Sequence, residues 1–103
     1  MRDFRQYEVW RKAISFTTEI YKLTETFPSS EKFGLTNQLQ RATVSIASNI
    51  AEGASRSSFE VETQLLISKN LNYISDGKYL NVMDELNILQ KQLNNFINKI
   101  RNN

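Results

Sequence analysis

The chain has 103 residues, 40% of them hydrophobic and 23% charged, with 13 basic against 11 acidic side chains and a formal net charge of +2. It contains no Cys and no His, which excludes disulfides, Cys-ligated metal centres, and every triad, zinc site or di-iron site that uses imidazole. One Pro and three Gly are few for an all-β chain of many turns; they suit one domain of long helices joined by short loops.

The first predicted helix covers residues 4–27. Trp10, Ala13, Ile14, Thr17, Ile20, Tyr21, Thr24 and Phe27 recur at steps of three and four, and Val9, Phe16 and Leu23 widen the stripe. So wide an apolar face predicts contact with two neighbours, with Trp10 and Tyr21 in the core. Phe27 precedes Pro28, which pushes the chain out of helical dihedrals. Residues 28–34 read as a loop, with Ser29, Ser30 and Gly34 as its turn chemistry.

The second predicted helix runs over residues 35–52 and stops at Gly53, a C-terminal cap. Leu35, Leu39, Ala42, Ile46 and Ile50 fall on one side. At about 100° per residue, Arg41, Ser45, Ser48, Glu52 and, further on, Arg56 fall in a narrow stripe on the other, with Asn49 at its edge. Small hydroxyls bracketed by a cation and an anion are not ordinary solvated paint. Two readings stay open: an interhelical hydrogen-bond network, in which Arg41 pairs with a carboxylate of another helix, or a surface that meets phosphate or a partner chain.

Ser57 and Glu60 have the spacing of a capping box, which starts the third helix at Ser57 and carries it to residue 74. Its apolar residues, among them Phe59, Val61, Leu65, Leu66, Ile67 and Leu71, spread around the helix, as at a subunit interface. Ser75 is the predicted N-cap of the fourth helix, residues 76–100. There Val82, Leu86, Leu89, Leu93, Phe96 and Ile100 alternate steps of four and three as a heptad seam. Four amphipathic segments with short loops make an all-α, up-down antiparallel four-helix bundle over residues 1–103.

Several stretches resemble a known family. DFRQYEVWRKA opens the chain, FPSSEKFGLTNQLQRATVSIASNIAEGASR forms its middle, and ETQLLISKNLNYIS follows. Together they resemble the four-helix-bundle proteins of the 23S rRNA intervening-sequence family, related to the accessory protein of diversity-generating retroelements. The resemblance implies a homopentameric bundle, places Arg41, Ser45, Ser48, Asn49, Glu52 and Arg56 at the family's recurrent polar positions, and implies nucleic acid as a partner for the retroelement branch. The chain departs from the pattern after Ser58, where relatives continue with a further stretch and this sequence goes directly to Phe59-Glu60-Val61. That predicts a shortened third helix of about 17 residues, or ~26 Å.

No Gly-rich phosphate loop and no convergent acid and base are present, so the expected protein is not an enzyme, carries no cofactor or metal, and takes no small-molecule substrate. The leading expectation is a homo-oligomer that binds structured RNA or DNA through backbone phosphates, using Arg5, Arg11, Lys12, Arg41 and Arg56. Phe4 and Tyr7, beside Arg5, are the aromatics placed to stack on a base. The alternative is a protein-interaction scaffold with no nucleic-acid role. The N-terminus lacks the apolar core of a signal peptide and no run approaches a membrane span, so a cytoplasmic location is expected.

Overall fold

In the computed structural model, which describes residues 7–102, Val9, Ala13, Phe16, Ile20 and Leu23 form the buried face of a first helix, α1, Glu8–Thr24. The residues expected to widen the apolar stripe, Val9, Phe16 and Leu23, are thus part of its buried face. Ile14 and Tyr21 point outward instead and are exposed. The reason is angular: each sits about 100° round the helix from a neighbour that is buried, Ala13 or Ile20. Trp10 is half-buried against the core. Thr24 and Thr26 donate from their hydroxyls to the carbonyls of Tyr21 and Leu23, and so finish the last turn.

After a single 3₁₀ turn, Ser29–Glu31, helix α2 spans Leu35–Ser48. Its start agrees with the sequence reading; its end does not. The helix stops four residues before Glu52 because Asn49 leaves helical dihedrals, at φ −133° and ψ 48°, and its side-chain Nδ2 donates to the Ser45 carbonyl. Residues 49–53 then turn and tuck Ile50 into the core.

Helix α3 spans Ala54–Asn70, so Ser57 is not its N-cap. Gly53 begins the helix, at φ 74°, a left-handed conformation that glycine adopts without a steric penalty. The chain therefore reverses four residues earlier than the capping-box spacing implies. Ala54, Ser57, Ser58, Val61, Leu65 and Ser68 form the inward face. The small side chains at its start let the neighbouring helices approach closely. With 17 residues, α3 equals α1 in length and exceeds the 14 of α2; only α4, at 26 residues, is longer.

The end of α3 is a Schellman motif. Asn72 adopts φ 62°, the Tyr73 N–H donates to the Ser68 carbonyl, and the Asn72 N–H donates to the Lys69 carbonyl. Helix α4, Asp76–Arg101, begins at Ser75 as expected: the Ser75 hydroxyl accepts from the Lys78 N–H at 3.1 Å. Val82, Leu86, Leu89 and Leu93 of the heptad seam are buried, and Phe96 packs against the core at its far end.

Each helix packs on its chain neighbours, and α4 closes back on α1, while among the described residues the backbones of the diagonal pairs α1–α3 and α2–α4 stay more than 8 Å apart. The directions alternate. From the N-cap of α1 onward, Tyr7 meets Phe96 of α4, Phe16 shares a groove with Leu89, and Leu23 shares one with Lys78, in descending order along α4. On the α2 side, the Thr17 hydroxyl donates to the Thr43 carbonyl, and Gln40 Nε2 donates to the Thr24 hydroxyl. The result is the up-down antiparallel four-helix bundle, 45 Å long and 23 × 19 Å across.

Candidate functional site

The polar stripe read from the sequence divides between two grooves, because α2 ends before the stripe does. Arg41 is exposed and Ser45 half-buried on α2. They line a groove of about 360 Å³ between α2 and α3, with Asn37, Gln38, Glu60 and Gln64. Gln64 Oε1 is buried there without a hydrogen-bond partner among the described residues. Ser48, Asn49 and Glu52 instead line a separate groove of about 380 Å³, whose wall is the Trp10 ring with Ala47, Ile50 and Ala51. The turn at residues 49–53 brings Glu52 to Trp10 and separates it from the Arg41 groove.

The basic residues are divided as well. Arg5 and Phe4 lie outside the described residues. Arg11 and Lys12 are exposed on α1, and Lys12 Nζ lies 3.8 Å from Glu8, one helical turn back. Lys12 also rims a groove of about 210 Å³ between α1 and α4, with Phe16, Glu19, Glu85, Ile88 and Leu89. Arg56 is exposed in the first turn of α3. Within one chain, then, Lys12 and Arg41 serve opposite faces of the bundle. Tyr7 makes an edge-to-face contact with Phe96, ring centroids 4.8 Å apart, which is a packing role rather than an open stacking platform.

Three polar arrangements were not anticipated by pattern reading. Glu31 Oε2 accepts from the Tyr73 hydroxyl at 2.8 Å, and Oε1 accepts from the Leu35 N–H at 3.1 Å. One carboxylate thus caps α2 and ties the first loop to the α3–α4 turn. The Tyr73 hydrogen bond, then the Leu35 N–H, hold the Glu31 carboxyl below its usual range; the same bond to Glu31 raises the Tyr73 phenol. Glu85 and Glu19 meet across α1 and α4. Burial raises the Glu85 carboxyl first, and the Glu19 charge and hydrogen bond add to it, opposed by Lys78. Finally, Ser58 lies fully buried beside a small notch between α3 and α4. Only the first had a local signal, an acidic side chain four residues before a helix start; the other pairings join residues far apart in the chain.

Among the described residues, no group of three or more His, Cys, Asp or Glu is placed to hold a metal, and no helix is long and apolar enough to cross a membrane.

The model of one protein family, the 23S rRNA-intervening sequence proteins, matches residues 5–59. The chain belongs to that family. The match spans α1, α2 and the first turns of α3, and includes Arg5, Arg11, Lys12, Arg41, Ser45, Ser48, Asn49, Glu52 and Arg56. It ends at Phe59. A comparison with curated proteins gives no match.

Proposed function

We propose that this protein works without catalysis, as a self-associating helical bundle whose subunit contact is made by the outer face of α3. One observation carries this reading. Phe59, Leu66 and Ile67 of α3, with Leu71 directly after its last residue, are large apolar side chains left in solvent, Phe59 at 68% exposure. At 100° per residue they fall within about 140° of one another, on the side away from Val61 and Leu65. Apolar side chains grouped in this way mark an interaction surface. The occupant is a second copy of the chain, and the family resemblance sets the expected assembly as a pentamer.

Sedimentation velocity tests this. The wild type runs as one oligomeric species, and the double variant Phe59→Ser, Leu66→Ser runs as a monomer with unchanged helical circular dichroism. A wild-type monomer at high micromolar concentration overturns the proposal.

Family membership and the basic excess favour a second reading, that the assembled bundle carries structured nucleic acid on its backbone phosphates. Arg11, Lys12, Arg41 and Arg56 are exposed and sit apart on one subunit, so repetition of the subunit brings them into a shared field. Such binding weakens steeply with salt, with a slope set by the number of phosphates neutralised. Replacing Arg41 and Arg56 by Gln should reduce that slope by about 1 for each phosphate that the complex no longer neutralises. An unchanged slope sinks the phosphate assignment. An oligomer that ignores RNA at both low and moderate salt leaves the protein scaffold as the function.

A further inference from the structure

We propose that the first turn of α3, together with the notch beside it, binds a phosphoryl oxyanion. The helix begins at Gly53 with no side-chain cap and has no acidic residue in its first turn. The N–H groups of Ala54, Ser55 and Arg56 are therefore the orphan donors of that turn, and the helix dipole adds positive potential there. A helix end alone is not a site. The second observation is Ser58. Its side chain is 1% exposed, and its hydroxyl has no hydrogen-bond partner among the described residues. A buried hydroxyl without a partner is unfavourable unless something else satisfies it.

Ser58 opens onto a notch of about 160 Å³ lined by Ser55, Gln90, Leu93 and Asn94. The Cα–Cβ bonds of a helix tilt toward its N-terminus, so Ser58 leans from its own turn toward Ser55, with which it shares the notch. Two hydroxyls and two carboxamides give the notch four side-chain donor groups, and no carboxylate lines it. The space exceeds the share of a single water, about 30 Å³. Donors from both helices, a positive helix end and no competing carboxylate suit a tetrahedral oxyanion. The phosphoryl group has two sources, a free phosphate or the backbone of a nucleic acid. The second would deepen the nucleic-acid reading above; the site itself does not depend on that reading.

The experiment is a titration of inorganic phosphate into the full chain, followed by amide NMR against chloride at matched ionic strength. The expected result is saturable movement of the Ser55 and Arg56 backbone signals and of the Gln90 and Asn94 side-chain amides. Phosphate affinity should fall by about fivefold or more in Ser58→Ala and again in Ser55→Ala, whose exposed position leaves the fold intact. No movement beyond that caused by chloride, or equal affinity in both variants, overturns the site. A short single-stranded oligonucleotide then separates the sources. If it moves the same amides and competes with phosphate, the ligand is a nucleic-acid backbone. If phosphate binds and the oligonucleotide does not, the ligand is free phosphate and the nucleic-acid reading fails alone. If the oligonucleotide binds but moves only signals elsewhere, and phosphate moves none, the site fails and the nucleic-acid reading stands.

Discussion

Glu31 holds two parts of the bundle with one carboxylate, the start of α2 and the α3–α4 turn, and this arrangement makes a pH prediction. Its folded carboxyl lies below the unfolded value, so its contribution is full above about pH 4.5 and is lost as pH falls through the lower folded value. The Tyr73 phenol is raised, so its contribution is present below about pH 10 and is lost as pH rises through the higher folded value. Tyr73→Phe should lower the melting temperature between those limits and converge with the wild type at acid pH. A constant difference across the whole range would show that the hydrogen bond is not the cause. Gly34 belongs to the same device. A Cβ there would stand 2.7 Å from Glu31 Oε1, so Gly34→Ala must displace the carboxylate from the Leu35 N–H. Gly34→Ala and Glu31→Ala should therefore be less than additive in a double-mutant cycle.

Glu85 has the opposite sign. Its folded carboxyl is raised, so the ionised form is disfavoured in the folded chain, and the penalty is full above the folded value and absent below about pH 4.5. Glu85→Gln should stabilise the protein at neutral pH, by no more than about 1 kcal/mol given partial solvent screening, and should make no difference in acid. Urea melts at about pH 7 and about pH 3.5, on either side of that window, would read both.

At the scale of the elements, the boundary between α2 and α3 is the informative case. Ser57 and Glu60 have capping-box spacing, yet Ser57 sits one turn inside the helix, at the buried face. A capping box is a local signal worth about 1 kcal/mol. Here it competes with burial of Ile50 and Ala54 and with a left-handed glycine four residues earlier, and those win. The two accounts predict different mutants. If Ser57 were a cap, Ser57→Ala would destabilise by about 1 kcal/mol. In the observed fold it should be close to neutral, while Gly53→Ala should cost about 1 kcal/mol through its φ of 74°. Ser75→Ala, where the cap is real, should cost about 1 kcal/mol in chemical denaturation.

For the molecule as a whole, the core is one continuous cluster of apolar side chains, with Leu39, Leu65 and Leu86 fully enclosed. Leu86→Ala should cost about 2–5 kcal/mol, a large part of the stability of a domain this size. Self-association adds a term that depends on concentration. The wild-type melting temperature should therefore rise with protein concentration, and that of the Phe59→Ser, Leu66→Ser variant should not. Equal behaviour of the two would remove α3 from the subunit contact.

The sequence by itself determined the class and the count of elements. Apolar periodicities in the first, second and fourth segments, a Pro after the first and a Ser cap before the last locate the body of α1, the start of α2 and all of α4, because each signal is local to its own helix. The family was legible too, in the run from Phe27 to Arg56. Only the tertiary structure decided where the polar stripe goes. Its side chains share a face only while the helix continues, and the helix ends at Ser48, where Asn49 leaves helical dihedrals. Tertiary packing also decided the Glu31–Tyr73 tie, the Glu19–Glu85 contact and the Ser58 notch. Each joins residues far apart in the chain, 42 positions in the case of Glu31 and Tyr73, and no local periodicity encodes such a distance. Which apolar residues face solvent was settled in the same way. Periodicity orders the faces of a helix, but only its neighbours determine which of them are covered.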